Sequence, residues 1–156
     1  MIANAELRRQ YDRINGIATR AMSLFEPDDE MLSEIAKYNC VLCSGFLENS
    51  IAIMFSDFAR NNTHNQNIIN YVGKCLNRIQ NPKKQVFLDL IQTFNFDWSG
   101  EFTEYLNHDE RGSSINYIIT ERHRIAHGDN SEITMNRLII HFSKAVEVVE
   151  FIESRL

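Results

Sequence analysis

Apolar residues recur in steps of three and four along almost the whole chain, and only two prolines, Pro27 and Pro82, interrupt its 156 residues. That spacing puts side chains on one face of an α-helix, whereas strands need alternation with period two, which runs over no useful length here. The pattern predicts an all-α fold, an antiparallel bundle of roughly five to seven helices. Leu7, Tyr11, Ile14, Ala18, Met22 and Phe25 form the stripe of a first helix over about residues 4–25. Pro27, Asp28 and Asp29 then open a second, to about residue 59, because proline fits a first helical turn and acids favour a helix N-terminus. Its apolar positions, from Leu32 and Ile35 through Phe46, Leu47 and Met54 to Phe58, make a face wide enough for several neighbours, so it should be the central helix.

Beyond Asn61 a polar, asparagine-rich loop leads into a shorter helix carrying Ile68, Val72, Leu76 and Ile79 and ending near Gln80. Another helix follows Pro82 over about residues 83–94. Residues 95–114 mix aromatics with Gly100 and Gly112, which predicts short helical turns and loop closing one end of the bundle. Regular helix resumes over about residues 113–127, stops at Gly128 and restarts near Ser131. Met135, Leu138, Phe142, Val146, Val149 and Ile152 give that last helix a heptad-like seam.

A hydrophobic content of 44% is enough for one core in a chain of this size, so residues 1–156 are expected to form one domain. Glu6, Arg8, Arg9, Asp12 and Arg13 stand where a signal peptide needs an apolar run, and Lys37, Asn39, Glu48 and Asp57 interrupt the most apolar segment. The expectation is a soluble, cytoplasmic protein with no membrane partner. Three cysteines, an odd number, predict reduced thiols, and the Cys40-x-x-Cys43 pair lies in an apolar helical pattern with no second pair to complete a zinc site. A net charge of −5 argues against indiscriminate coating of nucleic acid, but residues 58–88 hold Arg60, Lys74, Arg78, Lys83 and Lys84 and no acid at all. Such a stretch is commonly a solvated helix surface; it is also the best candidate for contacts to an RNA backbone.

The segment most suggestive of chemistry is RHRIAHG at 122–128, where a helix should end. Arginine and histidine five residues apart are a weak signal alone, and a basic helix terminus closed by glycine is their ordinary structural meaning. The full spelling R-x-R-I-A-H-G, followed by a second C-terminal helix, resembles the motif of HEPN-superfamily ribonucleases. LCSGFLENSI at 42–51 likewise resembles the second-helix segment of the RiboL-PSP-like branch. The resemblance implies a metal-independent endoribonuclease without cofactor, dimerising so that two Arg/His motifs face one another across a cleft, with Arg122 and His127 as the catalytic pair. His123 stands where the family often has asparagine, which leaves its supporting role open. Toxin–antitoxin, phage-defence and stress-response settings, with an antitoxin or effector as possible partner, follow from the resemblance only.

The residue chemistry agrees. Cleaving RNA through its own 2′-hydroxyl needs a proton acceptor, a proton donor to the leaving 5′-oxygen, and positive charge for the phosphorane. Histidine performs either proton task near neutrality. Arginine stays charged and grips two phosphate oxygens with its planar fork. Five residues along an ideal helix place two side chains roughly 140° apart, so a left-handed Gly128 would have to free His127 from the helical projection, or a second subunit would have to supply the remaining groups. Glu48, among Phe46, Leu47 and Ile51, needs a cation if buried, and Arg122 is the expected partner. Lys74, Arg78, Lys83, Lys84 and Arg124 are the expected RNA contacts. Phe94, Phe96, Trp98, Phe102 and Tyr105 could stack on bases, although packing is their commoner use. His64, His108 and His141 belong to no recognisable constellation. A rival reading of another class is a non-catalytic dimerisation module that binds a nucleotide or a protein in its cleft.

Overall fold

Seven α-helices appear in the computed structural model, which describes residues 1–156 apart from the side chain of Phe96, and no strand occurs among the described residues. They are α1 (Ala5–Leu24), α2 (Glu30–Asn62), α3 (Gln66–Leu76), α4 (Lys84–Phe94), α5 (Phe96–Asn107), α6 (Arg111–His127) and α7 (Met135–Glu153). Five of the starts carry a side chain that accepts an otherwise orphaned backbone N–H: Asn4, Asp29, Asn65, Asn95 and Thr134.

Helix α2 has 33 residues, about 50 Å at the usual rise, and packs against α1, α3, α6 and α7. Its apolar residues surround the helix instead of forming one stripe, because it has neighbours on several sides. By length and composition it is long and apolar enough to cross a membrane, contrary to the expectation that its polar interruptions excluded this. Within the bundle it is the core helix. Asn39 is fully buried there, its amide donating to the Ile14 carbonyl at 3.2 Å, and Phe46 meets Phe142 edge-on at 5.3 Å. Cys40 and Cys43 are both buried, as expected of core thiols.

The heptad-like seam of α7 is borne out: Met135, Leu138, Phe142, Val146, Val149 and Ile152 are all buried. At the far end of α7, the Glu153 carboxylate accepts the Ala3 and Asn4 amides at 2.6 and 2.7 Å, fixing the start of α1. Residues 96–107 are more regular than the short helical turns and loop expected there. They form α5, capped by Asn95, because Phe102 and Leu106 lie four apart and are buried, while Gly100 sits on an open face. Helix α3 stops at Leu76, short of Gln80. Helix α7 starts at Met135, after a non-helical segment in which Ile133 is buried.

Candidate active site at the end of α6

The sequence RHRIAHG forms the last turn and a half of α6 and its stop. Gly128 adopts the left-handed conformation (φ 73°), its N–H reaching the Ile125 carbonyl, while the Asp129 N–H returns to the Arg124 carbonyl at 2.9 Å. Glycine takes this conformation without the cost a Cβ imposes. His127 remains the last helical residue, so the helical projection still applies to it. Arg122 and His127 therefore diverge by roughly 140° around one helix, and Gly128 does not bring them to one face.

Arg122 is half-buried and its charge acts on Cys40 of α2, whose thiol bonds the Ile118 carbonyl. Burial, reinforced by the Glu121 carboxylate and opposed by Arg122, pushes that thiol up to about 12. Among the described residues no acid pairs with Arg122. His127 is exposed, and its ring lies 4.3 Å from that of His123 one turn earlier.

Glu121, which the sequence reading passed over, organises the other side of the motif. It is buried, accepts from Arg124 at 2.8 Å and from the Ser131 hydroxyl at 2.7 Å, and so ties the segment after Gly128 back onto α6. Inside the charged run TERHR nothing marks it for burial; its i,i+3 relation to Arg124 is the available signal. Next to it, between α6 and the start of α7, opens a cavity of about 580 Å³ whose walls include Asn116, Tyr117, Glu121, Arg124, Glu132 and Arg137. Behind Tyr117, the half-buried His141 lies with its ring tilted at 4.1 Å and bonds Ser114 through Nδ1 at 2.9 Å.

A family model described as RiboL-PSP-HEPN matches residues 3–156. The chain belongs to the RiboL-PSP-HEPN family. No curated protein and no solved structure matches it. The all-helical architecture is consistent with the HEPN fold, and HEPN domains are associated with RNA and nuclease functions generally.

Within this HEPN chain, Glu48 does not meet Arg122. Its carboxylate accepts the Asn81 backbone N–H at 2.7 Å, at the corner between α3 and α4. Asn81 is left-handed (φ 49°) and precedes Pro82, a position where proline sterically favours extended backbone, so the glutamate holds a strained corner. Lys84 is similarly committed: its ammonium reaches Asn107 at 2.5 Å, its backbone N–H donates to Asn116, and its stem packs on Gly112. Arg60 pairs with Asp57. Lys74, Arg78 and Lys83 are exposed and carry no ion pair among the described residues. The aromatic set packs: Phe94 meets Phe55, Phe58 and Trp98, Phe102 is buried against Phe151, and Tyr105 stacks on Phe151. The side chain of Phe96 lies outside the described residues.

Proposed function

We propose that this HEPN chain is an endoribonuclease that works without metal and as a homodimer, two copies of the RHRIAHG turn facing one cleft. The supporting observation is Arg122: a half-buried guanidinium with no acidic partner among the described residues, on the helix that ends in exposed His127. An arginine that is partly buried and has no acidic partner suits an anionic ligand, and its fork fits two phosphate oxygens. The divergence of Arg122 and His127 on α6 is the reason for two copies, since each would complete the other's constellation. In this reading one imidazole accepts the 2′-hydroxyl proton, an imidazolium protonates the leaving 5′-oxygen, and Arg122 stabilises the phosphorane. His123, against the His127 ring, keeps that ring in place. Lys74, Arg78 and Lys83 provide diffuse attraction for the strand, and Arg124 sits beside the reacting phosphate. A cytoplasmic role in phage defence, stress response or a toxin–antitoxin pair accords with such an activity.

The test is incubation of purified protein, His127→Ala and Arg122→Ala with mixed RNA in EDTA. Cleavage by the native chain alone, leaving 2′,3′-cyclic phosphate ends, is the expected result. Undiminished cleavage by either folded variant would sink the mechanism, and an exclusively monomeric active species would sink the shared cleft.

A further inference from the structure

We propose that the cavity between α6 and α7 is a guanine-binding subsite that selects the base next to the cleaved phosphate. Its place in the reaction rests on the nuclease reading above; the choice of base rests on the cavity itself. At about 580 Å³ it falls in the range of small-molecule sites and has room for a nucleobase with its ribose.

The charges on its walls divide into two kinds. Glu121 and Arg124 are committed to each other, and Glu121 also to Ser131, which makes one wall rigid. Glu132 and Arg137 line the same cavity and have no ion partner among the described residues. Arg137 is nonetheless held: its guanidinium lies 4.9 Å from the centre of the Tyr117 ring, and Tyr117 is backed by His141. The cavity thus offers one uncommitted carboxylate, which only accepts, and one uncommitted guanidinium, which only donates.

Guanine matches that pair. Its N1–H and 2-amino group are adjacent donors for a carboxylate, and its O6 and N7 are adjacent acceptors for an arginine fork. Adenine and cytosine place a ring acceptor beside their amino group, which would face the carboxylate unfavourably, and uracil offers a single N–H between two carbonyls. The site also adjoins the proposed chemistry, because Arg124 in its wall lies three residues before His127 and the two are neighbours on the helix surface.

The experiment is a calorimetric titration of the native full-length chain with 3′-GMP, 3′-AMP, 3′-CMP and 3′-UMP, repeated with Glu132→Gln and Arg137→Ala. The expected result is 3′-GMP binding at least about tenfold tighter than the other three, with each substitution weakening it about tenfold. Equal affinities, no measurable binding of 3′-GMP, or unchanged selectivity in both variants would overturn the subsite. Mapping RNA cleavage ends separates the two readings. Cutting without a guanine at a fixed flanking position removes the subsite and leaves the nuclease. Selective 3′-GMP binding by a protein that cuts nothing leaves the subsite and removes the nuclease.

Discussion

The hydroxyl of Ser131 donates to the buried carboxylate of Glu121 at 2.7 Å, across ten residues and around the left-handed Gly128. The same carboxylate holds Arg124, so one glutamate sets both the end of α6 and the path toward α7. Removing the Ser131 hydroxyl leaves a buried acceptor unsatisfied. Ser131→Ala should therefore cost about 1–3 kcal/mol in urea unfolding. A loss below about 0.5 kcal/mol would mean that water replaces the hydroxyl.

Glu48 provides a contrast. It serves the corner at Asn81, so Glu48→Gln, which keeps an acceptor oxygen, should retain both fold and RNA cleavage within about twofold, while Glu48→Ala should lose about 1–2 kcal/mol of stability. Loss of cleavage in a fully folded Glu48→Gln would restore a catalytic role for the residue.

The stop at Gly128 depends on backbone conformation alone, since a Cβ there would meet nothing within 4 Å. Gly128→Ala should lower stability by about 1 kcal/mol, and Gly128→Asn by less, because asparagine tolerates the left-handed region. Thermal melts of the two variants beside the native chain would check that order.

Thiol reactivity reports the core. Cys40, pushed up to about 12, and Cys43, likewise raised by burial, should be inert in the native protein, whereas Cys75 is exposed. An aromatic disulfide reagent should therefore titrate one thiol per native chain and three after denaturation. Rapid modification of two or more native thiols would contradict the packing of α2 against α6.

Burial, and then the charge of Arg137, holds the His141 imidazole below its ordinary value, with Glu110 opposing. As pH falls through the unfolded value of about 6.5, the unfolded chain takes up the proton first. The contribution is present above that pH and is lost below it. The fall in unfolding midpoint between about pH 7.5 and 5.5 should accordingly be smaller in His141→Gln than in the native chain. Parallel curves would mean that His141 is not responsible.

Much of this arrangement was legible in the residues. The starts of α1 and α2 were readable from where the first apolar stripe begins and from Pro27 with the acids after it, and the α7 seam was readable because that helix buries one side. Helix α5 was hidden: Gly100 and clustered aromatics look like loop, and only the burial of Phe102 and Leu106 by distant helices makes the segment regular. The candidate site was legible as a motif and less so as geometry. Which glutamate becomes buried beside it was not a property of either helix alone. Glu48 sat among apolar residues and met a corner of the chain, whereas Glu121 sat among charges and met Ser131.

Helix α2 is covered on several sides, while α3 contributes a single buried residue, Leu76, and rests chiefly on α2. Amide hydrogens in the middle of α2 should exchange only when the whole bundle opens, so that their protection would measure global stability. Helix α3, with one fully buried residue, should lose amide protection before the middle of α2 does. Lys74 therefore rides on a thinly anchored layer of the bundle, and a strand attracted to it would meet a surface expected to yield before the core does.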